Sequence, residues 1–220
     1  PYLALALGLQ SAGHTVRIIA GDNFRDWVSG YGFEFAGSGD AEAMMHTPEA
    51  LKWVDGGRNP IGQLFTMRKV LEKHADQYVK PILKWATGTD LLLTGFIAEP
   101  FIQSVSEKFG TPYLAIPLQP YQATRSSSAS IMTVTRRESR INRWVGVASE
   151  HVLFSICGGV VNDIRQSEGL SAHTFSSYRR DMFRAPRIYG VSPHVIPRPK
   201  DWTKNSHIVG YWFLDQPDWQ

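Results

Sequence analysis

The sequence has very little cysteine and none of the common patterns that hold metals or cofactors. Its 220 residues include one cysteine, Cys157, so no internal disulfide can form and a reducing compartment fits best. The histidines form no H-x-H or H-x-x-x-H pair, which is the usual spacing in a zinc site. The glycine-rich segments do not form the G-x-G-x-x-G pattern of a nicotinamide enzyme. We therefore expect this domain to bind no metal and no cofactor.

The sequence also lacks a strong excess of charge and a long apolar run. The formal net charge is +3, well short of the concentrated basic surface of a nucleic-acid-binding protein, so we expect no nucleic-acid partner. No uninterrupted apolar run reaches about 18 residues, so we expect no membrane-spanning helix. The apolar residues 1–10 have no basic flank and no cleavage site, which argues against a signal peptide. We expect a globular domain in the cytoplasm.

Helix and strand patterns alternate along the first part of the chain. Residues 3–12 predict a buried helix that Gly13 ends in a left-handed conformation. After it, "HTVRIIAG" predicts a strand, "DNFRDWVSGYG" a short helix and "FEFAG" another strand. This order favours an α/β fold with a Rossmann-like parallel sheet and helices on both faces.

The middle of the chain predicts two long irregular segments and two long helices. Residues 37–60 and 119–140 have no clear period and predict excursions from the sheet. Between them, apolar residues that recur every seven positions predict one long helix, which Pro81 should kink or restart. These residues are Leu64, Leu71, Tyr78 and Trp85. Residues 141–168 also have helical spacing, although we expect Gly158 and Gly159 to interrupt the helix.

Further strands are predicted in the middle and at the end of the chain. "DLLLTGF" and "TPYLAIPL" predict buried strands, and "AEPFIQSVSEKFG" predicts the helix that joins them and stops at Gly110. "RIYGVS" and "SHIVGYW" predict two final short strands. A doubly wound domain normally begins with a central strand, whereas this chain begins with the helix that should follow one. We therefore expect the first strand to be missing from the sheet.

The two ends of the chain resemble a known family. "PYLALALGLQSAGHTVRIIAGDNFRDWV" resembles family 1 glycosyltransferases of the sterol glucosyltransferase type, just after their first strand and its "GSRGDVQP" loop, with Pro1 as the last residue of that loop. "RPKDWTKNSHIVGYWFLD" is similar to their passage between two domains. The resemblance implies the amino-terminal, acceptor-binding half of a GT-B fold over residues 1–215. Residues 216–220 would begin the linker to a carboxyl-terminal donor domain.

The resemblance also implies a reaction. A hexose, glucose from UDP-glucose in the first instance, would pass with inversion to the hydroxyl of a sterol or another hydrophobic acceptor. The expected base, an aspartate, would lie three positions before Pro1. The histidine–aspartate pair of plant relatives is not matched, because Gly95 stands where their aspartate would be. His14 follows the helix stop and is expected to point away from the strand ends.

Acceptor contacts are predicted in the loops beyond the carboxyl ends of the strands, where α/β sheets bind ligands. Rings and methylene groups suit a flat apolar acceptor, and a few polar groups would orient its hydroxyl. The candidates are Phe96, Glu99, Gln119, Tyr121 and Thr124. The alternative is that Phe96 and Tyr121 are core rings and Glu99 is an exposed charge at a helix start.

Three further segments have a functional and a structural interpretation. An aromatic group, Trp202, Tyr211, Trp212 and Phe213, is expected at the hinge and against a second domain, or as a cap on the edge of the sheet. Met44, Met45 and Trp53 would form a lid over a lipid or pack as an ordinary loop. "RRESRINR", residues 136–143, would contact anionic lipid headgroups or begin a solvated helix.

Two other functions remain open at this point. One is a glycosyltransferase that acts on an aglycone of the polyketide or glycopeptide type. The other is a binding module for lipids or small molecules without turnover, because the base and the donor half are outside this sequence.

Overall fold

The computed structural model describes residues 1–40, 42–43, 46–48, 51, 60–129 and 134–214. Helices and strands alternate along it. In chain order they are α1 (Tyr2–Ser11), β1 (Arg17–Ala20), a 3-10 turn (Asp22–Phe24), α2 (Arg25–Ser29), β2 (Glu34–Gly37), α3 (Pro60–Ala86), β3 (Leu92–Thr94), α4 (Glu99–Phe109), β4 (Tyr113–Ala115), α5 (Arg140–Ser167), α6 (Phe175–Arg184), β5 (Arg187–Tyr189) and β6 (Ser206–Ile208). The predicted lid residues Met44, Met45 and Trp53 and the linker 216–220 lie outside the described residues.

All the strand pairs are parallel, which confirms the predicted α/β class. β1 pairs with β2, and β3, β4, β5 and β6 form a second ladder in that order. Within the described part of the chain, no strand joins β1 to β3, so the sheet lies in two parts. The central strand that the sequence pattern lacks would lie between β1 and β3. That the protein has such a strand stays a prediction.

Helices cover both faces of β1, as the sequence predicts. Ile18 points toward Leu3 and Ala6 of α1, whereas Ile19 packs on the opposite side against a core that includes Ile82 of α3 and Leu92 of β3. Adjacent strand residues point to opposite faces, so one short apolar strand serves two helical layers. The contact through Ile19 also places the two parts of the sheet side by side.

The long helices run further than the sequence predicts. α3 is one helix of 27 residues that contains Pro81, and α5 continues through Gly158 and Gly159 for 28 residues. The predicted interruption of α5 is wrong because packing outweighs the weak helix propensity of glycine. A Cβ added at Gly158 would lie 3.0 Å from the ring of Phe154, and one added at Gly159 would lie 3.3 Å from Arg68 Nη2.

The length and composition of α5 would also allow it to cross a membrane, contrary to the expectation from apolar runs. In the fold, 33% of its most apolar 18-residue window is buried, and the helix packs against three others. It contacts α3, α4 and α6, and it buries Asn142, Glu150 and Arg165. Glu150 and Arg165 form ion pairs with Arg179 and Glu107, and such partners are what buried charges require.

Helix α6 is the element that the sequence interpretation did not anticipate. It begins with a capping box, in which Thr174 and Ser177 exchange side-chain and backbone hydrogen bonds. The Thr-x-x-Ser spacing in the sequence could have predicted this helix start. α6 contacts both α4 and α5, and it buries Tyr178 and Met182 beneath β5.

Candidate functional site

The carboxyl ends of β3, β4 and β5 meet at one edge of the larger sheet part. An added Cβ at Gly190, just after β5, would lie 3.0 Å from the ring of Trp212 and 3.2 Å from Leu118. An added Cβ at Gly95, just after β3, would lie 2.6 Å from the Tyr2 hydroxyl. The rings of Tyr2 and Trp212 are 6.5 Å apart. We call Tyr2, Gly95, Leu118, Gly190 and Trp212 the carboxyl-edge cluster.

Gly95 and Gly190 explain why this edge can hold large rings. A side chain at Gly190 would contact an indole and a leucine at once, so only glycine lets Trp212 lie this close to β5. An aspartate at position 95 would push the Tyr2 hydroxyl away. Position 95 therefore carries glycine instead of the plant-type aspartate, and the ring of Tyr2 lies in the space that a side chain at this position would need.

Phe96 and Tyr121 form an aromatic pair beside this cluster. Their ring centroids are 4.4 Å apart, which is a favourable distance for a tilted pair. Phe96 is partly exposed, whereas Tyr121 is buried. The pair joins the loop after β3 to the loop after β4. The buried ring of the second loop therefore supports the ring that the first loop exposes.

A fully buried polar network holds Tyr121 in place. Arg187 of β5 donates from Nη2 to Glu99 Oε1 at 2.9 Å and from Nη1 to the Tyr121 hydroxyl at 2.5 Å. The Tyr121 hydroxyl in turn donates to Glu99 Oε2. Glu99 lies in the first turn of α4, where the helix dipole favours an anion. One carboxylate, one phenol and one guanidinium thereby join α4, β5 and the loop after β4.

Burial governs the protonation of this network. It raises the pKa of Glu99, while the charge of Arg187 and the hydrogen bond from Tyr121 act in the opposite direction. Burial, followed by the charge of Glu99, raises the pKa of Tyr121 well above its usual value, so the phenol stays protonated and can donate. Because both oxygens of Glu99 are engaged, we assign this carboxyl group to positioning Tyr121 and the loop after β4.

Asp201 anchors the next part of the loop after β4. Its carboxylate accepts from the Thr124 hydroxyl at 2.5 Å and from the Arg125 backbone N–H at 2.9 Å. Thr124 is completely buried. Its hydroxyl therefore links the loop after β4 to the segment before β6.

Two buried polar residues of α5 hold the same loop from the other side. Asn142 accepts from the backbone N–H groups of Val134 and Thr135 and donates to the carbonyl of Arg125. Glu150 accepts from the Ala123 N–H at 2.7 Å. The sequence interpretation missed both residues, although their spacing of two helical turns on an apolar helix places them on one face.

The structure brings some of the predicted acceptor residues together and separates others. Phe96 and Gln119 reach solvent, whereas Glu99, Tyr121 and Thr124 are buried with polar partners. The alternative of Glu99 as an exposed charge is wrong, because its environment is the buried ion pair with Arg187. Contact of these five residues with an acceptor stays a prediction.

The aromatic residues near the end of the described chain divide into two kinds. Trp202 is buried and stacks on Tyr189 with ring centroids 4.6 Å apart, so its predicted place against a second domain is wrong. Tyr211 and Phe213 are 46% and 78% exposed. These two rings remain candidates for contact with another domain, and Trp212 caps the edge of the chain's own sheet.

The remaining candidate groups lie apart from this edge. His14 is exposed and precedes β1, so it sits at the opposite end of that strand from the loops just described. Among the described residues, no cluster of three or more histidine, cysteine or acidic side chains could hold a metal ion. The chemistry of this edge therefore rests on rings, neutral hydrogen-bonding groups and one buried ion pair.

Comparison with known proteins gives relatives over the whole chain. A sterol 3-beta-glucosyltransferase from Cryptococcus neoformans var. neoformans is 31% identical over 222 residues, which cover 99% of this chain and 13% of that relative. O-mycaminosyltylonolide 6-deoxyallosyltransferase from Streptomyces fradiae is 27% identical over 234 residues, which cover 100% of this chain and 53% of that relative. No protein-family model matches the chain.

The fold also has solved counterparts. The calicheamicin glycosyltransferase CalG4 superposes with a TM-score of 0.66 at 14% identity, over 100% of this chain and 51% of that structure. The chain thus spans about half of the GT-B structure it matches and a smaller share of the fungal relative. All three proteins are named as glycosyltransferases.

Proposed function

We propose that this chain, which is homologous over its whole length to sterol 3-beta-glucosyltransferases and has the fold of one half of a GT-B glycosyltransferase, is the acceptor-binding half of an inverting glycosyltransferase. The full enzyme transfers a hexose, glucose from UDP-glucose, to the hydroxyl of a sterol or another hydrophobic acceptor. The observation that carries the proposal is the match to named sugar transferases from the first residues of the chain to the last.

The carboxyl edge of the sheet suits the acceptor in this proposal. Ligands of open α/β sheets bind beyond the carboxyl ends of the strands. Here that edge carries the partly exposed ring of Phe96 and the exposed amide of Gln119, and Trp212 lies over Gly190. Rings offer apolar area to a flat acceptor, and an amide can orient its hydroxyl.

The remaining catalytic groups would come from outside these residues. A neutral alcohol needs a general base within roughly 2.6–3.2 Å of its oxygen, and the departing diphosphate needs positive charge or helix amino-termini. A carboxyl-terminal domain that holds the nucleotide sugar would supply the second requirement. Exposed Tyr211 and Phe213 support a contact surface for such a domain.

The test uses the full-length protein with UDP-glucose carrying labelled glucose and a panel of sterols and polyketide aglycones. We expect labelled glucose on at least one sterol. Phe96→Ala should raise the KM for that sterol about tenfold, as expected for a lost apolar contact, and leave the KM for UDP-glucose unchanged. Trp27→Ala, at an exposed ring near β2, is the matched control. Transfer to no member of the panel would refute the proposal.

A second candidate function is favoured by one comparison. The relative named O-mycaminosyltylonolide 6-deoxyallosyltransferase is covered over 53% of its length, against 13% for the fungal relative, which favours a glycosyltransferase that acts on an acceptor of the polyketide type. The same panel separates the two candidates, because transfer to aglycones and to none of the sterols would favour the second. Tight acceptor binding with no transfer to any compound would instead favour a binding module without turnover.

We also propose that the amino-terminal end of α5 makes peripheral contact with an anionic membrane on the cytoplasmic side. Trp144 is 72% exposed and Ile141 is 53% exposed. Arg125, Arg140 and Arg143 line a groove of about 400 Å³ together with Trp144. Arginines next to an exposed indole suit the headgroup region, where each basic residue contributes about 1 kcal/mol.

Vesicle sedimentation of the full-length protein tests the membrane contact. Vesicles with phosphatidylserine should retain the protein more strongly than neutral phosphatidylcholine vesicles. Trp144→Ala and Arg140→Gln should each weaken retention, and Trp27→Ala should not. Equal binding to both kinds of vesicle, or no effect of the two variants, would contradict this part of the proposal.

A further inference from the structure

The groove at the start of α5 brings three arginines together from two parts of the chain. Arg125 belongs to the loop after β4, whereas Arg140 and Arg143 belong to α5. Together with Trp144 and Val147 they line a groove of about 400 Å³. All three arginines are exposed, so a ligand that approaches from solvent can reach them.

Backbone contacts hold Arg125 beside the start of α5. Its N–H donates to Asp201 Oδ2 at 2.9 Å. Its carbonyl accepts from the Ser139 N–H at 3.0 Å and from Asn142 Nδ2 at 3.2 Å. Asn142 is completely buried, so this anchor lies inside the protein. The fold therefore keeps the arginines together, and binding a ligand needs little reorganisation of the chain.

The positive charge of the groove is mostly uncompensated. Within the described part of the chain, the guanidinium groups of Arg125 and Arg140 have no ion pair and no hydrogen bond. Arg143 lies 3.7 Å from Asp201 Oδ2, which is longer than a hydrogen bond. The Asp201 carboxylate already accepts from the Thr124 hydroxyl and from the Arg125 N–H. Three arginines and one aspartate leave a net charge of +2 around the groove.

Stability does not explain these arginines. Arg140 is the first residue of α5 and Arg143 lies three residues later, with no acidic residue in the first turn. A cation near the start of a helix opposes the helix dipole, and like charges one turn apart repel each other. The residues just before the helix, Arg136, Arg137 and Glu138, add further positive charge. A bound anion would relieve both penalties, so the arrangement favours anion binding.

The groove matches a phosphate monoester in charge and in donors. Such a group carries a charge of about −1.5 to −2 near pH 7 and three acceptor oxygens, and a phosphodiester has less charge and fewer free oxygens. A guanidinium group can bind phosphate through two parallel N–H donors. Trp144 and Ile141 are exposed at the same helix end. These apolar groups suit the interface of a bilayer and add nothing to the binding of a dissolved phosphate compound.

On the basis of the membrane contact proposed above, we propose that this groove binds the phosphomonoester headgroup of a membrane lipid. The arginines bind the phosphate oxygens, and Trp144 and Ile141 contact the lipid next to the headgroup. Retention on a membrane then depends on the kind of headgroup as well as on the total surface charge.

Vesicle sedimentation of the full-length protein tests this assignment with phosphatidate as the probe. Phosphatidate or phosphatidylserine is mixed with phosphatidylcholine to give vesicles of the same zeta potential, so that the diffuse attraction is equal. We expect binding to phosphatidate vesicles to be about fivefold tighter, and Arg125→Gln and Arg143→Gln should each weaken it about fivefold. Arg184→Gln removes the same charge from an exposed position outside the groove and should keep the preference for phosphatidate.

Arg125→Lys separates recognition of the headgroup from attraction by charge. Lysine keeps the charge but lacks the paired donors of arginine. This variant should bind phosphatidylserine vesicles as the original protein does and should lose most of its preference for phosphatidate. Equal binding of the original protein to the two matched vesicles would overturn the proposal. A preference that survives the lysine variant and both glutamine variants would also overturn it.

Glycerol 3-phosphate distinguishes a lipid from a dissolved ligand, because it has the same phosphate group without acyl chains. It should displace the protein from phosphatidate vesicles only at concentrations at least about tenfold above that of the lipid. Displacement at concentrations similar to that of the lipid would identify a soluble ligand and overturn the lipid assignment.

The outcomes separate this proposal from the proposed function. Equal binding to the two matched vesicles would refute the headgroup assignment and leave the membrane contact intact. No binding to either kind of vesicle would refute the headgroup assignment together with the membrane contact. Sugar transfer is measured in neither case, so the proposal of a glycosyltransferase half is tested separately by the acceptor panel.

Discussion

Helix α4 points two polar side chains into the protein one turn apart, and their environments differ. Both oxygens of Glu99 are bound, by Arg187 and by Tyr121. The oxygen of Gln103 has no partner among the described residues. Similar burial therefore accompanies two different roles. The first group joins parts of the fold, and the second leaves one buried acceptor unused.

Two tyrosines, one at the start of β4 and one in the loop after it, repeat this contrast. Tyr121 accepts from Arg187 and donates to Glu99, whereas the Tyr113 hydroxyl contacts no partner within the described part of the chain. A buried group that is satisfied by the protein supports stability. A buried group that is not satisfied lowers stability.

Breaking the ion pair should give the largest effect. Arg187→Met leaves the Glu99 carboxylate buried without its cation, and we expect a loss of about 3–5 kcal/mol in the free energy of unfolding. Urea unfolding followed by circular dichroism measures this loss. Arg184→Met, at an exposed arginine three residues earlier, should change little. An equal loss in both variants would mean that the network does not stabilise the domain.

Removing one hydroxyl from each tyrosine gives a finer comparison. Tyr121→Phe should lower the free energy of unfolding by about 1.5–3 kcal/mol, because it removes hydrogen bonds to two charged groups. Tyr113→Phe should stay within about 0.5 kcal/mol of the original protein. The same urea experiment measures both. A loss for Tyr113→Phe that matches the loss for Tyr121→Phe would remove the distinction between the two hydroxyl groups.

Acidification should give the smallest of these effects. Burial lowers the pKa of His173 in the fold; the facing Arg165 and Arg180 act in the same direction, and Glu107 and Asp181 oppose them. The folded state thus favours neutral imidazole. The corresponding stability is present above the unfolded pKa of about 6.5 and is lost as pH falls through the lower folded value.

His173→Gln removes this titration, so its stability should fall less steeply than that of the original protein between pH 7 and pH 5. Urea midpoints at several pH values measure the two slopes. His14→Gln, at an exposed histidine, is the matched control variant. An unchanged slope in His173→Gln would contradict the neutral state of the imidazole.

The order of elements was predictable because it depends on local patterns. β-branched runs such as "HTVRIIAG" and the left-handed stop at Gly110, with φ of 66°, each act over a few residues. The predictions that failed depended on contacts between residues outside the local pattern. Gly159 lies in a continuous helix where Arg68 of α3 packs beside it, and Trp202 is buried because Tyr189 stacks on it.

The candidate site was predictable only in outline. The rule for strand ends selected the loops that contain Phe96 and Tyr121, and these rings do meet. The sequence did not reveal that Glu99 pairs with Arg187, because 88 residues separate the two in the chain. It also did not reveal the roles of Asn142 and Glu150, whose partners are backbone groups of a loop without a pattern.

At the carboxyl edge of the sheet, Trp212 and Tyr2 bring together residues from both ends of the described chain. Tyr2 and Trp212 occupy space that Gly95 and Gly190 leave open. A molecule that approaches β5 from this side meets an indole ring before it meets the strand. The segment after β6 therefore borders the approach to β5. A displacement of this segment by a few ångströms would change the width of that approach without any change in the sheet.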